Sequence, residues 1–345
     1  MSFKVIVEPD NRIFEVEPGE SILEAAMHNG VHLPYGCRNA VCGTCKGIVI
    51  DGDIDYGDYE PLGLATEEIQ QGMALFCRAM PTSDVRIRTK IIHSPENITI
   101  KNMPTRVAKK ELLSDDVIRL CLKTPGGTRL QFLAGQYIDI LLQNGQRRSF
   151  SIANSPHDDE YIELHIRHVE DGEFSSYLFN SLQVKDILRI EGPYGQFYLR
   201  NPVKTPIIFM AGGTGFAPIK GIIEYAFQED VGQPMYLYRG ARTRRDLYMD
   251  DLARQWSQRP GFHYIPVLSD APAGDHWHGR RGMVHEMIVQ DFASLENYAV
   301  YTAGPPLMIK AGWEAFKRLG LPADRFYSDA FTFAHDKLAG QVRNP

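Results

Sequence analysis

The sequence lacks the features that mark membrane proteins and nucleic-acid-binding proteins. Its 345 residues contain no stretch close to the roughly 18 apolar residues that span a bilayer, so we expect no membrane association. The net charge of −6 argues against a nucleic-acid partner, because a phosphate backbone requires a basic surface. The first residues include neither an apolar signal core nor a cleavage site, and the expected location is therefore the cytoplasm.

One long segment contains no basic residue. Between Asp51 and Gly72 the chain has no Lys or Arg, but it has seven acidic residues. These are Asp51, Asp53, Asp55, Asp58, Glu60, Glu67 and Glu68. They form either a solvated, solubilising face or a patch that steers a basic redox partner, an attraction that salt would screen. The sequence leaves both interpretations open.

Cysteine is also scarce, with five residues in the chain, but four of them have an informative spacing. Cys37, Cys42 and Cys45 are separated by four and two residues, and Cys77 follows after 31 more. This is the spacing of plant-type [2Fe–2S] ligands, so we predict that these four cysteines are metal ligands. Disulfides would require an oxidising compartment. A structural zinc site usually has two close cysteine pairs, and Cys77 has no such neighbour.

The first ninety residues have the pattern of a small α+β domain. Two alternating stretches at the N-terminus predict strands, and Ser21 with Glu24 forms a capping box that opens a helix through Asn29, with Gly30 as the C′ residue that stops it. The cysteine loop and further strand-like stretches follow. This order resembles the β-grasp ferredoxin fold, which we expect over residues 1–91.

The rest of the chain has two further patterns. Residues 92–102 are predicted to be a linker, and residues 103–202 are rich in strands and turns, as in an antiparallel β-barrel. In residues 203–335 short apolar runs alternate with helical patterns, which predicts a parallel α/β sheet. Residues 336–345 are expected to form a tail.

A short motif near the middle of the expected barrel points to a flavin. Arg148, Ser149, Phe150 and Ser151 resemble the R-x-[YF]-S motif of the ferredoxin–NADP reductase superfamily. The resemblance implies that Arg148 pairs with the FAD pyrophosphate, that Phe150 lies on the isoalloxazine ring, and that Ser151 is a catalytic residue near N5. A guanidinium suits phosphate oxygens and a ring stacks on a ring. Alternatively, the segment is a basic strand edge followed by a core phenylalanine.

Further residues extend this candidate FAD site. Gly172, Ser175 and Ser176 open a predicted helix, where hydroxyl and free N–H groups can bind a pyrophosphate. Ile166 lies on the strand before them and is included among the flavin contacts. The resemblance places Phe331 over the other flavin face. Ser175 as a simple N-cap and Phe331 as a core residue remain alternatives.

Two glycine turns are candidates for binding the nicotinamide cofactor. The string AGGTGFAP, from Ala211, lies between a predicted strand and helix and resembles the NAD(P)H turn of the same reductases. The string AGPPLM, from Ala303, resembles their C-G-P-x-x-M nicotinamide motif, with alanine in the cysteine position. The cofactor-binding residues implied are Gly213, Thr214, Gly215, Gly304 and Pro305, and Thr214 is also implied to be catalytic.

The sequence does not choose between NADH and NADPH. No acid stands directly after the second strand of the nucleotide region to hold the ribose hydroxyls of NADH. Arg242, which follows that strand, could meet a 2′-phosphate, stack on adenine or remain solvated. The expected cofactors are therefore FAD, a [2Fe–2S] cluster and either NADH or NADPH.

The resemblance covers nearly the whole chain in the order ferredoxin, flavin barrel, nucleotide domain. The strings LPYGCR, GQYID and FYSDAF are similar to those of the CDP-6-deoxy-delta-3,4-glucoseen reductase group and of oxygenase reductases. The family implies a hydride from NAD(P)H to FAD, then single electrons through the cluster to a dehydratase or an oxygenase component. The alternatives are a redox-sensing or binding module with a degenerate reductase half, and a reductase of free flavin or quinone.

Overall fold

The computed structural model of the protein describes residues 2–58, 60–91, 98–126, 128–200, 204–271 and 276–331. The chain divides into two units, Met1–Asn97 and Ile98–Pro345, each with its own apolar core. Residues 92–97 of the predicted linker and the predicted tail at 336–345 lie outside the described residues. No helix within the described ranges has both the length and the apolar composition needed to cross a membrane.

The first unit is a mixed sheet with one packed helix, which confirms the β-grasp prediction. Its elements are β1 (Phe3–Glu8), β2 (Arg12–Val16), α1 (Ile22–His28), β3 (Lys46–Asp51), β4 (Ile54–Asp55), α2 (Thr66–Gln70), β5 (Met73–Leu75), β6 (Met80–Pro81) and β7 (Val85–Arg88). The strand order is β2-β1-β7-β3-β5, in which only β1 and β7 are parallel. Helix α2 lies in the acidic segment and was not expected, because its five residues bury no side chain and leave no apolar period.

Helix α1 positions the segment that carries the fourth cysteine. The Ser21 hydroxyl accepts the Glu24 N–H at 3.2 Å, so the predicted capping box is present. The free N–H groups of Ile22 and Leu23, in the first turn, donate to the carbonyls of Ala79 and Phe76 at 2.9 Å. Residues 76–79, on both sides of Cys77, are therefore fixed to the start of the helix.

The first half of the second unit is a closed antiparallel barrel, as predicted. Its elements are β8 (Lys101–Ser114), β9 (Val117–Lys123), β10 (Tyr137–Leu141), β11 (Arg147–Ser151), β12 (Ile162–Arg167), α3 (Glu173–Asn180) and β13 (Ile187–Tyr194). The strand order is β11-β10-β13-β8-β9-β12, and an antiparallel bridge from Ile152 to Leu164 joins the two edge strands. Strand β8 begins at Lys101, two residues before the predicted start of the barrel.

The second half of this unit is the predicted parallel α/β sheet. Its elements are β14 (Ile207–Gly212), α4 (Phe216–Gln228), β15 (Met235–Ala241), α5 (Asp250–Trp256), β16 (Phe262–Leu268), β17 (Arg280–Arg281), α6 (Val284–Asp291), β18 (Ala299–Gly304), α7 (Pro306–Arg318) and β19 (Phe326–Ala330). The order is β17-β16-β15-β14-β18-β19, with all neighbours parallel. The chain winds outward from β14 in both directions, so β14 and β18 flank the switch point at which α/β sheets bind ligands.

Candidate functional site

The cysteine loop aims backbone N–H groups at sulfur. Ala40 and Gly43 have left-handed φ angles of 59° and 73°, which turn the loop sharply. As a result the N–H of Ala40 lies 3.4 Å from Cys77 Sγ, and the N–H of Cys42 lies 3.4 Å from Cys37 Sγ. Such donors stabilise the negative charge of thiolate ligands.

The four thiols form two pairs, Cys37 with Cys42 and Cys45 with Cys77. The hydrogen bond from Cys42 lowers the pKa of Cys37 to about 6, and the bond that Cys45 donates to Cys77, together with burial, raises the pKa of Cys45. No three His, Cys, Asp or Glu side chains in the described ranges are grouped to hold a metal ion. Two pairs of thiols fit a cluster of two irons, each with two cysteine ligands, better than they fit a mononuclear zinc site.

Arg148 and Phe150 lie on one face of strand β11. The Arg148 guanidinium donates to the side chain of Gln146 at 2.8 Å and to the carbonyl of Arg147 at 3.0 Å. Both acceptors are neutral, so the positive charge suits a phosphate. Phe150 is half-buried and its ring centroid lies 6.1 Å from that of Phe174, so it contacts the barrel core but keeps an open face.

The start of helix α3 is arranged differently from the expectation for a serine cap. Gly172 is the N-cap, and the buried Ser175 hydroxyl exchanges hydrogen bonds of 3.1 and 3.0 Å with the backbone of Val169. The Ser175 side chain is therefore satisfied locally, whereas Ser176 is partly exposed and contacts His168 at 3.4 Å. Ile166 is 1% exposed in the barrel core, so only its backbone could meet a cofactor.

The flavin motif and the second glycine turn meet through a buried carboxylate. The Ser151 hydroxyl donates to Asp329 Oδ2 at 3.3 Å, and Asp329 lies opposite Ala303 in the register of β18 and β19. Two residues later the N–H of Phe331 donates to the carbonyl of Gly304 at 2.9 Å. The structure thus brings together three of the predicted site residues and adds Asp329, to which the sequence assigned no role.

The two glycine turns pack backbone against backbone. A Cβ on Gly215 would lie 2.0 Å from the Ala303 carbonyl oxygen, and one on Gly304 would lie 2.8 Å from that of Gly212. Gly213 and Gly304 have φ angles of 57° and 142°, which other residues rarely adopt. The turns therefore form a cradle at the carboxyl ends of β14 and β18, where a dinucleotide can approach the backbone. Pro305 is the exposed N-cap residue of α7.

Arg167 is a candidate that the sequence analysis did not identify. Its Nη1 lies 3.3 Å from the position of a Cβ on Gly213, and its Nε lies 3.1 Å from Asp116 Oδ2. Its Nη2 is buried and has no hydrogen-bond partner among the described residues. An arginine beside a glycine turn at a helix start suits a phosphate. The only signal was an arginine ending a strand, and the sequence does not reveal that this strand lies against the turn.

Two other predicted cofactor-binding residues keep part of their surface open to solvent. Arg242 is exposed after β15, and Thr214 is partly exposed.

Three family models match the chain in sequence order. A 2Fe-2S iron-sulfur cluster binding domain matches residues 5–82, an oxidoreductase FAD-binding domain matches 104–198, and an oxidoreductase NAD-binding domain matches 209–312. These spans contain the four cysteines, the flavin motif and both glycine turns respectively.

Relatives match over almost the full length. The chain is 37% identical over 334 residues to the CDP-6-deoxy-L-threo-D-glycero-4-hexulose-3-dehydrase reductase of Yersinia pestis, covering 96% of this chain and 99% of that protein. It is 33% identical to the terephthalate 1,2-dioxygenase reductase component 1 of Comamonas sp., covering 96% and 98%. The crystal structure of the Amycolatopsis cytochrome P450 reductase GcoB aligns with a TM-score of 0.80 at 33% identity, covering 96% and 99%.

The matches confirm the predicted fold, the enzymatic class and the set of cofactors, which are FAD, a [2Fe–2S] cluster and NAD(P)H. The enzyme carries electrons from NAD(P)H through flavin and iron–sulfur groups. The chain belongs to the family of flavin- and iron–sulfur-dependent NAD(P)H reductases in which a ferredoxin domain precedes an FAD-binding and an NAD-binding oxidoreductase domain.

Proposed function

We propose that this reductase delivers single electrons to a separate protein, a dehydratase acting on a CDP-linked 6-deoxyhexulose. The observation that carries the choice of acceptor is the 37% identity, over 96% of the chain, to a reductase named for such a dehydrase. When bound, FAD accepts two electrons as a hydride and the cluster passes electrons on one at a time. The protein contributes binding, orientation and control of protons.

The residues of the second unit divide these tasks. Arg148 and Arg167 supply positive charge for the diphosphates of FAD and of NAD(P)H respectively. The tight cradle of Gly215 and Gly304 admits the nicotinamide end beside the Ser151 hydroxyl. Asp329 accepts the proton of that hydroxyl and orients it, so the Ser151 oxygen can accept a hydrogen bond at flavin N5. In the first unit, Cys37, Cys42, Cys45 and Cys77 hold the cluster.

We propose that the acidic segment of the first unit is the docking face for the acceptor. Six of its seven acids are exposed, and the seventh, Glu68, pairs with Lys46 at 2.7 Å. The segment contacts the cysteine loop, because the N–H of Gly63 donates to the carbonyl of Ala40 at 2.8 Å. Negative charge beside the cysteine loop, where electrons would leave the reductase, would attract a basic partner to that loop.

An oxygenase component is the second candidate acceptor, since a dioxygenase reductase component aligns over 96% of the chain. We further propose a cytoplasmic location, because a reducing compartment keeps cysteine thiols available to iron. Neither proposal alters the roles given to the flavin and cluster residues.

The first experiment is an anaerobic titration of the purified protein with NADH and with NADPH, followed by visible absorbance. We expect the flavin band to bleach and the iron–sulfur shoulder to follow, with one nucleotide effective at lower concentration. Absorbance bands that neither nucleotide bleaches would overturn the reductase assignment. The reduced protein is then mixed with a purified CDP-hexulose dehydratase or with an oxygenase component, and faster reoxidation by the second would reverse the choice of acceptor.

The docking face is tested by charge removal. Asp51, Asp53 and Asp55 are replaced together by Asn, and the control variant replaces Asp10, Glu15 and Glu17, three exposed acids of the same unit, by Asn, Gln and Gln. We expect the first variant alone to slow electron transfer to the acceptor at low salt, and the difference to vanish at high salt. Equal rates for the two variants would assign the segment to solubility.

A further inference from the structure

Tyr56 reaches from the acidic segment to the strand that precedes Cys77. Its hydroxyl oxygen accepts the N–H of Leu75, the last residue of the edge strand β5, at 2.9 Å. Its ring is half-buried and packs against the apolar core of the first unit. One side chain of the proposed docking face is therefore anchored inside this unit.

Leu75 forms the base of the turn that carries Cys77. Its carbonyl oxygen accepts the N–H groups of Arg78 and Ala79, both at 3.0 Å, so Cys77 lies inside the turn. The N–H of the same residue is the group that Tyr56 binds. The tyrosine hydroxyl therefore holds the backbone from which the fourth cysteine projects.

The other thiol of this pair, Cys45, is held against the same stretch of chain. The residue after it, Lys46, lies opposite Leu75 in the register of β3 and β5, and the Cys45 carbonyl accepts the Phe76 N–H at 3.1 Å. Cys45 and Cys77 are 2% and 4% exposed. The hydroxyl that binds Leu75 therefore lies beside a buried pair of thiols.

The charges of this pair act on the Tyr56 hydroxyl. Burial raises the pKa of Tyr56, the bond from the Leu75 N–H opposes that rise, and the negative charges of Cys45 and Cys77 add to it. The hydroxyl therefore keeps its proton at neutral pH. A tyrosine hydroxyl can donate as well as accept, and within the described part of the chain Tyr56 donates to no residue.

The thiols change from donors to acceptors when they bind iron. A metal-bound cysteine is a thiolate, which has lone pairs and no proton. A hydroxyl that donates to such a sulfur stabilises the negative charge that the cluster gains on reduction, and hydrogen bonds to sulfur help to set the reduction potential.

We propose that Tyr56 is a positioning residue for the cluster, whose oxygen holds the turn of Cys77 and whose proton is donated to a sulfur of the Cys45 and Cys77 pair. This inference rests on the proposed function, because it assumes that these cysteines hold the cluster. The donated hydrogen bond raises the reduction potential of the cluster above the value that it would have without the hydroxyl.

The test compares Tyr56→Phe with Ser83→Ala in the full chain loaded with FAD and cluster. The Ser83 hydroxyl also accepts a backbone N–H of the acidic segment, that of Asp53 at 2.8 Å, but it lies between β6 and β7. Each substitution removes one hydroxyl and leaves the net charge unchanged. The midpoint potential is measured by redox titration with electron paramagnetic resonance. At the wild-type midpoint we expect the ratio of reduced to oxidised cluster to fall at least threefold in Tyr56→Phe alone.

Urea unfolding separates this role from a merely structural one. Loss of a bond to an edge strand would lower the urea midpoint of Tyr56→Phe but leave its reduction potential at the wild-type value. An unchanged potential in Tyr56→Phe would therefore overturn the proposal. A raised potential would overturn it as well, because entry of water and not loss of a donor would then dominate. A wild-type protein that binds no cluster would instead overturn the proposed function.

A direct measurement covers the case in which Tyr56→Phe assembles no cluster. The proton is then detected in Thr44→Val by electron–nuclear double resonance of the reduced cluster. Thr44 is removed because its hydroxyl oxygen lies 3.2 Å from Cys42 Sγ and would give a signal of its own. We expect a proton coupled to the cluster that exchanges with deuterium oxide as fast as a hydroxyl does, and absence of such a proton would overturn the proposal.

Discussion

The hydroxyl of Ser151 donates to Oδ2 of Asp329 at 3.3 Å and so links the last residue of barrel strand β11 to strand β19, the final strand of the parallel sheet. The two residues are 178 positions apart in the chain, and both are buried, at 9% and 6% exposure. The bond therefore fixes the direction of the serine hydroxyl at the junction of the flavin motif and the second glycine turn.

Replacing Asp329 by Ala should slow the transfer of hydride from NAD(P)H while leaving FAD bound. Loss of a hydrogen bond to a charged group is worth about 1.5–3 kcal/mol, which corresponds to roughly a ten- to hundredfold lower rate. The rate is measured by stopped-flow bleaching of the flavin band, and the FAD content by absorbance of the purified variant.

A double-mutant cycle supplies the control for this pair. If Asp329 acts through Ser151, the variant with both Asp329→Ala and Ser151→Ala should be no slower than Ser151→Ala alone. Ser149→Ala removes a neighbouring hydroxyl that bonds Asp139 at 2.6 Å, and it should leave the rate close to that of the wild type. If the losses of hydride-transfer rate in the two single variants add up in the double variant, Asp329 and Ser151 act independently of each other.

Replacing Gly215 by Ala should destabilise the second unit. The new Cβ would lie 2.0 Å from the carbonyl oxygen of Ala303, which belongs to a central strand and cannot move without shifting the sheet. Overpacking of this kind costs about 1–3 kcal/mol. Urea unfolding followed by circular dichroism measures the change. Gly232→Ala is the matched control, because a Cβ there meets nothing within 4 Å. Equal urea midpoints for Gly215→Ala and Gly232→Ala would show that the two glycine turns can move apart to accept the new Cβ.

The sequence predicts the elements of this protein better than it predicts the contacts between them. The Ser21 capping box and the glycine turn before α4 are local patterns, and the structure contains both. The bond from Ser151 to Asp329 joins segments whose proximity depends on the strand order of two sheets, which no local pattern encodes. Arg167 was missed for the same reason, since an arginine at the end of a strand is ordinary until its neighbour is known.

The stability of the second unit should fall as the pH falls below about 6.5, the value at which an unfolded histidine titrates. Burial lowers the pKa of His165, which stays neutral between Tyr248 and Glu163 in the folded protein. Below that pH the unfolded chain binds a proton that the folded chain does not, so stability declines by at most about 1.4 kcal/mol per pH unit.

Glu163 adds a second decline at lower pH. Burial alone would raise its pKa, but the His165 hydrogen bond and the Lys220 ammonium outweigh burial and lower the pKa to about 2. The stabilising contribution of ionised Glu163 is therefore complete above the unfolded pKa of about 4.3, and it disappears as the pH falls toward 2.

The role of His165 is tested by thermal unfolding. Thermal midpoints between pH 7.5 and 5.5 should fall less in His165→Gln than in the wild type. His157→Gln, at a half-exposed histidine, should behave as the wild type does. Parallel curves for all three proteins would remove His165 as the cause.

Substitution of Ala40 should show that the cysteine loop depends on a left-handed residue at this position. Ala40 has a φ of 59°, is 1% exposed, and directs its N–H at Cys77 Sγ. A β-branched side chain strongly disfavours that backbone region, so Ala40→Val should release the loop and speed the loss of the cluster on heating. Glycine removes the strain of a left-handed Cβ, about 1–2 kcal/mol, but adds freedom to the unfolded chain, about 0.4–1 kcal/mol. Ala40→Gly should therefore keep the cluster at least as long as the wild type.

The measurement is the rate at which the visible absorbance of the cluster decays at a fixed elevated temperature. Ala65→Val is the matched control, because Ala65 is exposed in the same unit and has an extended backbone, with φ of −80° and ψ of 157°, that valine accepts. Rapid decay in Ala40→Val, with slow decay in both Ala40→Gly and Ala65→Val, would tie the lifetime of the cluster to the buried turn that brings the Ala40 N–H to Cys77. Equal decay in Ala40→Val and Ala65→Val would mean that the four thiols hold the cluster without help from this turn.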